Sequence, residues 1–83
     1  SSSSESSVTY DNDHKVTVSA PVGAAGYVNG TYKGEVPCSF TKVIGNVTLS
    51  LTKDGYETKT YAVEISDDSK DISWSFPDLT KNS

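Results

Sequence analysis

Apolar residues recur at every second position in several short segments, and this spacing constrains the fold more than any other feature of the chain. Val47, Leu49 and Leu51 alternate with hydroxyl side chains, and the run ends at a Lys-Asp-Gly turn. Side chains two positions apart lie on the same face of a β-strand, so this alternation predicts strands with one buried face. No segment of helical length shows the 3.6-residue period of an amphipathic helix. The sequence therefore predicts an all-β domain.

The same pattern predicts six or seven short strands separated by turn residues. Asn29-Gly30 is the dipeptide best suited to a tight hairpin turn. The stretch 38–44 is compatible with a short strand or with a loop that carries Phe40 and Val43 inward. The other predicted strands cover residues 14–20, 24–28, 31–33, 47–52, 57–65 and 72–76. Strands of this number and length favour a small antiparallel β-sandwich.

The buried side chains of this sandwich are predicted from the apolar phase of each strand. A residue in that phase points toward the facing sheet, whereas its neighbours in sequence point to solvent. The predicted core residues are Val18, Val28, Leu49, Leu51, Val63, Ile65, Trp74 and Phe76.

The chain has 83 residues, which is enough for one domain with a core of modest size. The serine-rich run before Val8 can bury nothing, so residues 1–9 are predicted to form a flexible tether. Residues 10–78 are predicted to form the β-sandwich, and residues 79–83 a polar tail. We expect this sequence to be one domain of a longer protein.

The charge balance and the single cysteine exclude several classes of protein. The formal net charge of −4 repels phosphate backbones, so no nucleic-acid partner is expected. Cys38 is the only cysteine, so no internal disulfide can form, and it is interpreted as a small buried residue. No apolar run approaches the roughly 20 residues that span a bilayer, so no direct membrane insertion is expected in this segment.

Side chains that could support catalysis or bind a metal are scattered along the sequence. His14 is the only histidine and has no cysteine nearby, so neither a zinc site nor a Ser-His-Asp relay is predicted. The acidic groups at 11–13 and 67–71 lack the pattern of an EF-hand loop. We interpret them as solvated residues, with calcium binding as the alternative, first at Asp67, Asp68 and Asp71. The sequence therefore predicts no enzymatic activity, no catalytic residue, no cofactor and no metal site.

Several short motifs follow one another in a defined order. They are Val18-Ser19-Ala20-Pro21-Val22-Gly23-Ala24, Tyr27-Val28-Asn29-Gly30, Gly34-Glu35-Val36-Pro37, Gly45 and Lys53-Asp54-Gly55-Tyr56. This order resembles the PEGA domain, whose Pro-Glu-Gly-Ala motif stands here as Pro21-Val22-Gly23-Ala24. The resemblance covers roughly Val16 to Phe76, and Val22 replaces the glutamate of the motif.

The resemblance implies a transthyretin-like or prealbumin-like sandwich. PEGA domains occur in exported, lipid-anchored and cell-surface proteins of bacteria and archaea, and the family carries no catalytic motif. We therefore expect an extracellular or cell-surface location, with the signal or lipoprotein anchor outside this sequence. The implied role is a structural, adhesive or spacer module that is monomeric in isolation. Its expected partners are neighbouring domains of the parent protein or cell-wall polysaccharide.

Carbohydrate binding is the alternative function. A sugar-binding module needs exposed aromatic rings beside polar groups. Trp74 is in the apolar phase of its strand and is assigned to the core. Tyr27 is out of phase with Val28, and Tyr32 lies beyond the hairpin turn, so these two residues and Tyr56 are the candidate ligand-facing aromatics.

Overall fold

The computed structural model describes residues 8–83, and every regular element in that range is a β-strand, which confirms the all-β class. The strands are β1 (Thr9–Ala20), β2 (Ala25–Val28), β3 (Thr31–Glu35), β4 (Cys38–Thr52), β5 (Lys59–Ile65) and β6 (Ile72–Ser75). The serine run of the predicted tether, residues 1–7, lies outside the described residues. Across residues 8–83 no helix has the length and apolar character needed to cross a membrane.

Strand β4 is long enough to belong to both halves of the structure. Its first part, residues 38–44, pairs antiparallel with β1, and β1 pairs in parallel with β6. Its second part, residues 45–52, lies between β2 and β5, and β3 forms the edge beyond β2. We call the first set of strands the β1 half and the second set the β2 half.

The two halves face each other across one core. Val16 and Val18 of the β1 half and Leu49 and Leu51 of the β2 half are at most 2% exposed and belong to the same apolar cluster. The segment that follows β1 also lies against the segment that follows β4. The Lys53 ammonium donates a hydrogen bond to the Val22 carbonyl at 3.4 Å. The chain therefore folds back on itself along β4 and encloses the core between its halves.

Five of the predicted core residues are buried: Val18, Val28, Leu49, Leu51 and Ile65. For the other three, Val63, Trp74 and Phe76, full burial was the wrong prediction, because they are only half-buried against the core. They lie on β5, on β6 and directly after β6. Each of these strands has one hydrogen-bonded neighbour, so one flank of these large side chains stays open to solvent.

The stretch 38–44, for which strand and loop were both open, is the first part of β4. Phe40 and Val43 are both buried there, although residues three apart on a regular strand point to opposite faces. The inward phase changes between Lys42 and Val43, which are both buried, next to the register shift of β1 between Asp11 and Lys15. Gly45 has a φ of 114°, which side-chain-bearing residues rarely adopt, and this lets the strand turn at the change of partner.

The strands and the core extend slightly beyond residues 10–78, the range predicted for the sandwich. β1 begins at Thr9, one residue before the predicted start of the domain. Leu79 lies in the predicted polar tail but is only 8% exposed and is part of the core. The Glu57 N–H donates to the Thr80 carbonyl, and the Asn82 N–H donates to the Gly55 carbonyl. These two hydrogen bonds attach the C-terminal segment to the β4–β5 turn, and the buried Leu79 side chain anchors it in the core.

Candidate functional site

The Asn29-Gly30 turn places two of the candidate aromatics side by side. Asn29 and Gly30 have φ values of 54° and 85°, and positive φ at both central positions is the type I′ geometry predicted for this dipeptide. The Asn29 side-chain oxygen accepts the Thr48 N–H at 3.2 Å, which fixes the turn against β4. Tyr27 and Tyr32 consequently lie directly opposite each other on β2 and β3.

The two rings form a tilted pair on the outer face of the β2 half. Their centroids are 5.3 Å apart and the ring planes make an angle of 55°. Tyr32 is 57% exposed, and Tyr27 is half-buried. Gly26 and Val28, on either side of Tyr27, are buried, so Tyr27 points away from the core. The pair therefore presents aromatic surface to solvent.

A shallow cleft of about 370 Å³ adjoins this pair. Polar side chains of three kinds line it beside the rings: the Glu35 and Asp54 carboxylates, the Lys53 ammonium and the Thr52 hydroxyl. Carboxylates accept hydrogen bonds from hydroxyl groups, and an aromatic face offers an apolar contact surface. This combination suits a ligand that carries both hydroxyl groups and apolar ring faces. We call it the Tyr27–Tyr32 cleft.

Tyr56, the third candidate aromatic, is not part of the Tyr27–Tyr32 cleft. It lines a neighbouring cleft of about 320 Å³ with Pro21, Asp78 and Leu79. Lys53 lines both clefts, and its ammonium lies 5.0 Å from the centroid of the Tyr56 ring. The structure thus brings Tyr27 and Tyr32 together and places Tyr56 in the adjoining cleft.

Lys42 is a buried cation that sequence reasoning missed. Its side chain is 0% exposed, and its ammonium donates to the Asp68 carboxylate at 2.9 Å and to the Lys70 carbonyl at 2.8 Å. The hydrogen bond from Lys42 lowers the pKa of Asp68 below its usual value. The signal that could have found it is its position, because Lys42 shares the inward phase of Phe40 on β4.

Three of the acidic residues considered as calcium ligands, Asp11, Asp68 and Asp71, are engaged within the protein. Asp71 accepts the Lys15 N–H, and Asp68 binds Lys42. Burial of Asp11 opposes its ionisation, but its hydrogen bonds with His14 and the backbone outweigh this, so the pKa of Asp11 is lowered. Among residues 8–83 no three His, Cys, Asp or Glu side chains are grouped in a way that could hold a metal ion.

Cys38 is half-buried at the start of β4 and makes no disulfide. Burial raises the pKa of its thiol, which disfavours the thiolate that a nucleophile or a metal ligand requires. A Cβ placed on Gly34 would lie 3.7 Å from the Cys38 sulfur, so the thiol packs against the β3 backbone. This environment is that of a small packing residue.

Folding is expected to be independent of calcium and of reductant. The Lys42 ammonium already forms an ion pair with Asp68, so this carboxylate is not free for calcium. Cys38 forms no disulfide that a reductant could break. Thermal melting curves recorded with a chelator, with added calcium and with a reductant should superimpose. A calcium ion that bound the native state would raise the midpoint by mass action. A rise of several degrees in calcium that Asp68→Asn abolished would contradict this expectation.

Comparison with known families adds one match. The model of the PEGA domain family matches residues 14–76, which is more than half of the chain and confirms the resemblance found in the sequence. No curated protein and no solved structure matches the chain. The matched range runs from within β1 to the residue after β6, and so includes the Tyr27–Tyr32 cleft and Lys42.

Proposed function

The chain belongs to the PEGA domain family, and from this we propose that it is a non-catalytic spacer or adhesion module of an exported cell-surface or lipid-anchored protein. PEGA domains occur in extracellular or periplasmic proteins, which supports an extracellular location.

The observation that carries the proposal is the separation of the two ends of the fold. Thr9 pairs with Ile44 at the middle of β4, whereas Lys81 pairs with Tyr56 just beyond its end. The strand between Ile44 and Thr52 covers roughly 26 Å at about 3.3 Å per residue. Segments that precede Thr9 and follow Lys81 therefore leave the domain in different places, and each domain adds its own length to the protein.

Tandem copies on a membrane test the spacer role. One to four copies are attached to vesicles through an added lipid anchor, with a donor dye at the outer end and acceptor dyes in the bilayer. Energy transfer should fall with each added copy. The control is a Gly/Ser linker with the same number of residues, whose span grows only with the square root of its length. Transfer that followed the linker control would overturn the proposal.

Carbohydrate binding is the second candidate, and the Tyr27–Tyr32 cleft favours it. Sugar rings have apolar faces that pack on aromatic side chains, and their hydroxyl groups donate to carboxylates such as Glu35 and Asp54. Tyr32 is the more exposed of the two rings and is open to such contact. On this candidate the module would hold its parent protein against a cell-wall polysaccharide.

Sedimentation with insoluble cell-wall polysaccharide tests this candidate. Tyr32→Ala should abolish retention, because it removes the exposed ring of the cleft. Tyr10→Ala is the matched control, since Tyr10 is 56% exposed on β1 and does not line the cleft. Equal retention of the two variants would exclude this site. A wild-type domain that is not retained would remove the candidate and leave the spacer proposal intact.

A further inference from the structure

The first and last strands of the domain are hydrogen-bonded neighbours that run in the same direction. β1 pairs in parallel with β6, from Val16 opposite Ile72 to Ala20 opposite Ser75. The contact continues past β6, because the Phe76 N–H donates to the Ala20 carbonyl at 3.3 Å. The preceding segment therefore enters the domain at β1, and the following segment leaves it after β6.

This arrangement determines how the domain responds to stretching. Tension on the preceding segment pulls β1 at Thr9, and tension on the following segment pulls β6 at Ser75. Because the strands are parallel, these points lie at opposite ends of the pair, so the two forces act along the strands in opposite directions. The hydrogen bonds between parallel strands are evenly spaced along the ladder. They share such a load, whereas strands pulled apart sideways lose their bonds one at a time.

β1 is also held on its other side. Residues 9–11 and 15–18 of β1 pair with β4, so β1 cannot slide along β6 without breaking that ladder as well. Val16 and Val18 are 0% and 2% exposed, and sliding would draw these side chains out of the core. The resistance to sliding therefore combines two ladders with the burial of apolar surface.

The attachment of the C-terminal segment is of a different kind. Lys81 forms an isolated antiparallel bridge with Tyr56, and the Thr80 and Asn82 backbone bonds lie close to it. Tension from beyond Ser83 meets these bonds in succession and detaches the segment from the β4–β5 turn. The load then passes to β6 and the parallel pair.

We propose that the β1–β6 pair, held by β4, is a force-bearing clamp that keeps the domain folded when its parent protein is stretched. This inference rests on the proposed spacer role, in which neighbouring segments transmit tension through the domain. A spacer needs only to be long, whereas a clamp must also resist rupture, so the two properties can be tested apart.

Single-molecule force measurements with two attachment geometries test the clamp. In the first, handles are attached at residues 1 and 83, which loads β1 and β6 along their lengths. In the second, handles are attached at residue 1 and at a cysteine introduced by Lys70→Cys, in a Cys38→Ser background used for both geometries. Lys70 lies just before β6, so this geometry pulls β1 and β6 apart sideways from the same end. Forced rupture reports the unfolding rate under load.

The rupture force is expected to be several-fold higher in the first geometry than in the second. Thermal melts of the two proteins should coincide, which shows that direction and not stability causes the difference. Equal forces, or a higher force in the second geometry, would overturn the clamp. The vesicle measurement with tandem copies is unaffected by that outcome, because a domain can extend a protein without resisting rupture.

Discussion

Leu49→Ala and Leu51→Ala are each expected to lower the free energy of unfolding by about 2–5 kcal/mol. Both side chains are 0% exposed. They lie where β4 is paired with β2 on one side and β5 on the other, so the surrounding backbone cannot collapse into the cavity. A domain of 83 residues has a total stability of roughly 4–12 kcal/mol at 0.05–0.15 kcal/mol per residue. Either variant should therefore lose a large fraction of its stability.

Urea unfolding measures this loss as a lower midpoint with an unchanged slope. Thr48→Ala is the matched control, because Thr48 is on the same strand but exposed on the outer face. Its midpoint should move far less than that of either leucine variant. Midpoints for both leucine variants equal to that of the wild type would contradict the assigned register of β4.

Lys42→Ala is expected to cost about 2 kcal/mol through lost packing alone, at about 0.8 kcal/mol for each buried methylene removed. The variant also removes the donor that bonds Asp68 and the Lys70 carbonyl. Lys42→Met keeps most of the packing and removes only the charge, so it should cost less than Lys42→Ala. Equal midpoints for Lys42→Ala and the wild type would show that the buried stem contributes nothing.

The contribution of the Lys42–Asp68 ion pair to stability can be measured from the dependence of the free energy of unfolding on pH. The Lys42 hydrogen bond lowers the pKa of Asp68 in the folded state. A carboxylate with a lowered pKa stabilises the fold above its unfolded pKa, and this stability is lost as the pH falls through the folded pKa, below about pH 4. Asp11 on β1 is paired with Lys42 on β4 and contacts His14. Its pKa is also lowered, so its carboxylate likewise stabilises the fold at neutral pH and loses this effect in acid.

Urea midpoints at pH 7 and pH 3 separate the two carboxylates. The loss on acidification should be smaller in Lys42→Met than in the wild type, because the Asp68 contribution is removed and the Asp11 contribution, to which Lys42 also adds, is reduced. Asp68→Asn should reduce it in the same way, and Asp67→Asn is the control. An acid loss as large in Lys42→Met as in the wild type would contradict the role given to the ion pair.

The strands with regular alternation were predictable because their partners follow directly in the sequence. Leu49 and Ile65 belong to a hairpin whose turn is marked by glycine, and Tyr27 meets Tyr32 through the Asn29-Gly30 turn. Local turn chemistry was enough to pair these residues. The Tyr27–Tyr32 half of the candidate site was therefore accessible from the sequence.

The remaining features depend on contacts between distant segments. Lys42 bonds Asp68, 26 positions away, and a lysine is rarely buried unless such a partner is present. Leu79 is a single apolar residue in a polar run, so no periodicity marks its burial. Tyr56 is held apart from Tyr27 by the C-terminal segment, because Lys81 pairs with Tyr56 and Leu79 lines its cleft. Alternation within one strand does not describe such a contact.

The sharing of β4 between the β1 half and the β2 half has a consequence for cooperativity. Residues 38–44 and 45–52 are parts of one continuous strand and both contribute to one core, so unfolding of either half exposes the buried face of the other. The slowest amide protons of both halves should therefore exchange with a single opening free energy, that of global unfolding. We therefore expect no folded half-domain intermediate, and an array of such domains should gain or lose folded length in whole copies.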